Sequence, residues 1–326
     1  LLTAAYLPSL KILLEISNNK KHKMPALIRD FKSLANDDKV MTIDNCKSIN
    51  KDLKSILERQ INYVKAGSDV VSQTGKPQAN NRLLLYGSTG VGKSYFAKIF
   101  AKSLDAEYME VMYSDYNSMW AGEGVENLKK VFEKILKTTE KNPDKKYVVT
   151  FNEIDTFVQP VNSISGKNRT GGSTYWLTKL EERSTFLNYL DQLNEKAPNV
   201  TIIGTTNLSP RNNGLDGAAM SRFKNIMEVA YPDKECLSEA LKANLLDMPH
   251  GKIFIDKNVD NITNFVQQLE ARKCSYRDLN NIIESSKNYY LRDYLKDKNS
   301  CYKYEYLEKA LKDVTRRTGL LAQHIF

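Results

Sequence analysis

Cysteine and histidine are scarce in this 326-residue chain. Cys46, Cys236, Cys274 and Cys301 lie far apart, no CxxC pair occurs, and the three histidines are scattered. That argues against a zinc site and a disulfide framework, and it points to a reducing compartment, the cytoplasm. Long apolar runs are missing too. The longest, residues 1–16, is interrupted by Pro8 and Lys11 and falls short of the roughly 20 apolar residues that cross a bilayer. No membrane span is expected. The run reads as a first helix or as the mature side of a removed signal, and a start at Leu1 rather than Met leaves an upstream segment open. There is no internal repeat and no low-complexity tract. Neither HExxH nor G-x-S-x-G follows in the C-terminal part, so proteolysis would need a partner. No long basic run stands out either. The net charge of +9 therefore reads first as a lysine-rich solvated surface, and second as a footprint for nucleic acid or an acidic partner. The cluster Lys20-Lys21-His22-Lys23 falls in a linker.

What the chain does have is the make-up of a packed protein, 41% hydrophobic and 10% aromatic. Residues 1–40 read as one or two short helices with a polar linker. Leu53, Ile56, Leu57, Ile61 and Val64 have helical spacing; Gly67–Asn81 is polar and reads as a loop. Five short runs read as strands: Arg82–Tyr86, Tyr108–Tyr113, Tyr147–Phe151, Val200–Thr205 and Ile226–Tyr231. Most are continuously apolar, as buried parallel strands are. Helical patterns separate them: Lys93–Leu104, then Val125/Leu128/Val131/Phe132/Ile135, then Phe186/Leu187/Leu190/Leu193. After Pro232 only helical patterns follow: Leu237/Ala240/Leu241/Leu245, then Ile262/Phe265/Val266/Leu269, then Tyr276/Leu279/Ile282/Ile283, then Leu307/Leu311/Val314. The expected fold is α/β: a parallel five-stranded sheet covered by helices on both faces, then a small all-α lid. The expected division is an arm at 1–40, a nucleotide-binding unit at 41–231 and a lid at 232–326.

Gly87-Ser88-Thr89-Gly90-Val91-Gly92-Lys93-Ser94 fits the phosphate-loop pattern G-x-x-x-x-G-K-S/T. It follows a strand and opens a helix, the context its mechanism needs. The glycines let backbone N–H groups wrap phosphate, and the helix N-terminus adds partial positive charge. Lys93 should reach the β- and γ-phosphates, and Ser94 should bind Mg²⁺. The strand Tyr147–Phe151 then ends in Asn152-Glu153-Ile154-Asp155, acids at a strand's carboxyl end beside the loop. Glu153 is the candidate general base for an attacking water. ATP and Mg²⁺ are the expected cofactors.

With these motifs in order, the sequence resembles the AAA branch of the AAA+ ATPases over about residues 41–290, most of all the proteolytic and katanin- or spastin-like severing members. Asn152–Asp155 is similar to that family's D-E-I-D. Val200–Asn207 (VTIIGTTN) resembles the strand ending in a sensor asparagine. Leu215–Phe223 resembles the arginine-finger segment, and Ser114–Phe132 the first pore loop with its helix. The resemblance implies that Asn207 contacts the lytic water and a γ-phosphate oxygen. It implies that Arg222 acts in trans on a neighbour's γ-phosphate, and hence a homo-oligomeric, hexameric ring. It makes Met119-Trp120 an apolar paddle that grips a protein substrate, and it makes 159–173 a second pore loop or a plain insertion. Arg277 stands in a second sensor region, where the severing branch has a small residue. It is the candidate nucleotide sensor.

Two departures qualify the resemblance. Asn152 stands where the family has Asp, keeping an acceptor oxygen to orient Mg²⁺ through water but losing the charge. Met220-Ser221 replace arginines, leaving Arg222 the one basic candidate in its segment. Three functions stay open. The first is a ring motor that remodels, unfolds or threads a protein. The second is a nucleic-acid motor or loader, and the third an ATP-binding scaffold with slow hydrolysis.

Overall fold

The computed structural model describes residues 29–74, 81–118, 122–160, 173–210, 214–223 and 225–318. The chain order is β1 (Lys32–Ser33), α1 (Lys51–Thr74), β2 (Arg82–Tyr86), α2 (Lys93–Ser103), β3 (Glu107–Val111), α3 (Tyr113–Tyr116), α4 (Glu123–Lys141), β4 (Tyr147–Phe151), α5 (Asp155–Val158), α6 (Ser173–Lys196), β5 (Val200–Thr206), α7 (Gly217–Arg222) and β6 (Asn225–Glu228). Helices alone follow: α8 (Lys234–Leu246), α9 (Gly251–Lys257), α10 (Val259–Ala271), α11 (Tyr276–Lys296) and α12 (Tyr304–Thr318).

The strands form one sheet in the order β1-β3-β4-β5-β2-β6. The five expected strands are present and mutually parallel. Every residue of β4 and β5 is buried, because helices cover both faces and leave no side for polar residues. On one face α4 and α6 pack Leu128, Phe132, Phe186 and Leu190 against Val149, Phe151 and Ile202. Phe132 stacks on Phe151 with ring centroids 5.2 Å apart. On the other face α1 and α2 pack Leu57, Ile61, Phe96 and Phe100 against Leu83, Leu85 and Val148. Each fully buried large side chain of this kind contributes about 1.5–3 kcal/mol relative to exposure. The C-terminal helices have a core of their own, built from the apolar stripes read in the sequence, with Leu241, Phe265, Ile282 and Leu307 in it.

Two local expectations are corrected. Residues 29–40 are not helical. Lys32 and Ser33 pair antiparallel with Tyr108 and Glu107, adding a sixth, edge strand. Flanking Phe31 stacks edge-on against Tyr147, and Leu34 and Val40 are buried with the sheet core. A two-residue strand whose own side chains are exposed has no period to detect. Second, α1 continues through Gly67 to Thr74, into a stretch expected as loop. One glycine costs a helix only about 1 kcal/mol relative to alanine, and the first proline after Lys51 is Pro77. Among the described residues no helix is long and apolar enough to cross a membrane.

Register decides where chemistry can occur. Tyr86 pairs with Thr206 and Phe151 with Gly204, so β2 and β5 end level, while β4 stops opposite Gly204, short of the end of β5, on the same side of the sheet. The residues that follow them, 87–94, 152–154 and 207, emerge at one carboxyl edge, where open α/β sheets bind ligands.

Candidate active site

A cleft of about 920 Å³ opens at that edge, and its lining includes Gly90, Gly92, Lys93, Ser94, Glu153, Asn207 and Arg277. The loop is wound close because its glycines permit it. At Gly87 (φ 150°) a Cβ would sit 2.3 Å from the Val229 carbonyl oxygen. At Gly90 (φ 82°) it would meet Ser275 Oγ at 2.6 Å and Arg277 Cβ at 2.7 Å. Val91, by contrast, points its side chain into the core beneath the loop. Gly92 begins α2 in the left-handed region and supplies no side-chain cap, which suits the helix's first amides to an anion.

Lys93 Nζ donates to Gly87 O at 2.7 Å, Ser88 O at 2.8 Å and Asn207 Oδ1 at 2.8 Å. Burial pushes its pKa down to about 8; Arg277 adds to the fall, while Asp155 and Glu153 oppose it. Between about pH 8 and the ordinary lysine value near 10.4, the unfolded chain holds a proton that the folded one has released. Fold stability therefore rises with pH across that window. Nucleotide affinity should move the opposite way, because phosphate pairs with the charged amine. We expect a nearly constant ATP dissociation constant from about pH 7 to 8, then weakening by up to about tenfold per pH unit. Titration of a fluorescent ATP analogue checks it; an affinity unchanged to about pH 9.5 refutes the assignment.

On the metal side, Ser94 Oγ donates to Asn152 Oδ1 at 2.7 Å, and Thr205 Oγ1 reaches the same oxygen at 3.0 Å. Glu153 has φ 56°, a strained conformation for a residue with a side chain. Its amide donates to Thr205 Oγ1 at 3.1 Å. Asp155, at the start of α5, accepts from the Asn207 amide at 3.1 Å and from Thr206 Oγ1, and so fixes the end of β5. Arg277 enters from the helical region. A reciprocal Ser275–Asp278 capping box starts α11, and the Arg277 amide donates to Gly90 O at 3.3 Å.

Arg222 does not line the cleft. It ends α7, and its Nε and Nη2 donate to Asp191 Oδ2 at 3.0 and 2.8 Å. Met119 and Trp120 lie outside the described residues, as does most of 159–173. The flanks of Met119-Trp120 are anchored: Ser118 bonds Glu123, and buried Lys179 donates to Glu182, Tyr113 and Asn117. Four participants received no role from the sequence: Glu110, Thr205, Asp155 and Asp191. Asp155 and Thr205 sit within recognised segments, Asn152–Asp155 and Val200–Asn207, whereas Glu110 and Asp191 sit in none.

The donor set fits a magnesium triphosphate. Among the described residues no group of three or more His, Cys, Asp or Glu side chains could hold a metal. Mg²⁺ in such sites is held by one or two protein oxygens, waters and phosphate.

Comparison with known proteins agrees. Residues 83–231 match the family model described as ATPase family associated with various cellular activities (AAA). Cell division protein C of Sulfolobus acidocaldarius is 26% identical over 239 residues, 72% of this chain and 56% of that protein. Protein SUPPRESSOR OF K(+) TRANSPORT GROWTH DEFECT 1 of Arabidopsis thaliana is 27% identical over 55% of this chain and 37% of its own length. The chain thus spans little more than half, or less, of these relatives. A crystal structure of the FIGL-1 AAA domain superposes with a TM-score of 0.64 at 18% identity, over 90% of each chain, and so shares the fold. Sequence motif, sheet order and family match converge: this chain carries an ATPase domain of the AAA family at residues 83–231.

Proposed function

We propose that the chain hydrolyses ATP with Mg²⁺ as part of a homo-oligomeric, six-membered ring in which it remodels a protein substrate by drawing it through a central pore. One observation carries this reading: Lys93, Ser94, Glu153, Asn207 and Arg277 share one cleft, while Arg222 sits outside it on Asp191. Lys93 and the loop amides bind phosphate, and Ser94, with Asn152 through water, holds the metal. Glu153 takes the proton of the attacking water, and Asn207 orients that water. Arg277 reads the γ-phosphate from the lid, and Arg222 serves the neighbouring protomer. Mg²⁺, bound with the triphosphate, would neutralise the charge that builds on the leaving phosphate as its bond to the γ-phosphorus breaks. In this reading residues 41–231 are the nucleotide-binding unit and 232–326 the lid. Residues 1–40 are an arm that selects a substrate or adaptor, and Met119-Trp120 grip the substrate.

Trp120→Ala tests the pore. Basal ATPase should persist while unfolding of a tagged substrate falls to background; unimpaired processing refutes threading. Asn152 favours a second reading, an ATP-binding scaffold that barely turns over. Turnover well below about 1 s⁻¹ identifies it, since ordinary enzymes reach that rate.

A further inference from the structure

Glu110, on β3, carries none of the roles assigned so far. Its Oε1 accepts from Asn152 Nδ2 at 2.7 Å, its Oε2 pairs with Lys98 Nζ at 3.1 Å, and its side chain is only 13% exposed. A carboxylate has no proton to give, so the Asn152 amide meets it through Nδ2. That settles which way the amide faces. Oδ1 must point the other way, where Ser94 Oγ and Thr205 Oγ1 both donate to it. With its proton committed there, Ser94 keeps its lone pairs for a cation. Thr205 Oγ1 in turn accepts from the Glu153 amide. One chain of bonds therefore runs from Lys98 through Glu110 to Asn152, then divides toward Ser94 and Glu153.

We infer that Glu110 is a positioning residue for the metal side of the cleft: from β3 it supplies the negative charge that the family resemblance would place at position 152, and it fixes Asn152 so that Ser94 presents its oxygen to Mg²⁺. The inference rests on reading the cleft as a magnesium–ATP site. The two positions are matched. Asn152 needs an acceptor at 110, whereas an aspartate at 152 would set two carboxylates at hydrogen-bond distance with little water between them, and like charges there repel. Asn152→Asp, nominally a step toward the family pattern, is therefore harmful while Glu110 remains.

The test compares the 326-residue chain with Glu110→Gln, Asn152→Asp and the double variant. Two quantities are read: the gain in affinity for a fluorescent ATP analogue on going from chelator to Mg²⁺, and the thermal midpoint without nucleotide. Asn152→Asp should lose about 10–100-fold of the magnesium gain, the usual cost of disturbing a residue behind a metal ligand, and should unfold at a lower temperature. The double variant should recover most of both. Glu110→Gln alone should lose roughly tenfold, because glutamine can meet Asn152 as donor or acceptor and no longer dictates its sense. An Asn152→Asp protein that matches the parent, or a double variant no better than the single, overturns the inference. If Asn152→Asp does not fold, Glu110→Gln decides, and a magnesium gain equal to the parent's overturns it. A parent with no magnesium gain instead sinks the reading of the site, and the inference with it.

Discussion

Arg222→Ala should lower ATP turnover by about 10³-fold or more, the contribution of an arginine that stabilises phosphoryl-transfer charge in trans, while nucleotide affinity stays near that of the parent. The geometry separates the two effects. Arg222 sits outside its own cleft, with its guanidinium on Asp191 and its Nη1 on Ala218 O at 3.0 Å. Removing it therefore takes nothing from the phosphate cradle of the same protomer. Asp191 also reaches Arg82 Nη1 at 3.5 Å, so it keeps a partner when Arg222 leaves. The pairing does not hold Arg222 back. A half-exposed ion pair of this kind contributes about 0–1 kcal/mol, far less than about 4 kcal/mol for a 10³-fold rate effect. Steady-state turnover against protein concentration, alone and mixed with parent protein, measures the outcome. Parent turnover should rise with concentration as protomers meet, and the variant should depress it in mixtures. Undiminished turnover by Arg222→Ala, or a rate per protomer independent of concentration, contradicts action in trans.

The second large effect is expected at Glu153. Glu153→Gln should slow single-turnover hydrolysis by about 10²–10⁴-fold, the usual share of a positioned general base, with ATP still bound. Glutamine keeps the shape and the amide that donates to Thr205 Oγ1, so the strained backbone at φ 56° is held by the same bond. What goes is the ability to take a proton. Such backbone strain costs about 1–3 kcal/mol, and it persists here because Thr205 and Asn152 brace the turn from β5 and β4. The variant should therefore accumulate ATP-loaded protein that parent protein would discharge. Filter binding of labelled ATP with a time course of released phosphate checks both halves. Release as fast as the parent's places the base elsewhere.

The sheet and cradle were legible because each rests on local pattern. Continuous apolar runs such as Tyr147–Phe151 coincide with β4 residue for residue, and Gly87–Ser94 stands between a strand and a helix in sequence as in space. The helical stripes after Pro232 predict the buried positions of the last core well, Leu241 and Phe265 among them. What escaped depends on neighbours far along the chain. Glu110 meets Asn152 only because β3 and β4 pair in parallel, with Glu110 beside Thr150, a register no local motif encodes. Asp191 on α6 meets Arg222 because the α7 segment packs against α6, where Arg183 also bonds Asp216. Lys32–Ser33 is too short to announce itself. Asn152 read from sequence is a lost charge; beside Glu110 it is half of a relocated one.

The Arg277 amide on the Gly90 carbonyl ties the C-terminal helices to the loop proposed to hold phosphate, and Tyr276 Oη on Ser48 O at 2.7 Å ties them to the segment before α1. Free energy exchanged between two such sites is symmetric. Whatever factor nucleotide applies to the affinity of a ligand seated on those helices, that ligand must return in the affinity for nucleotide. A molecule that clamps α11 from outside, and binds more or less tightly when nucleotide is present, would thus shift nucleotide affinity by the same factor without entering the cleft.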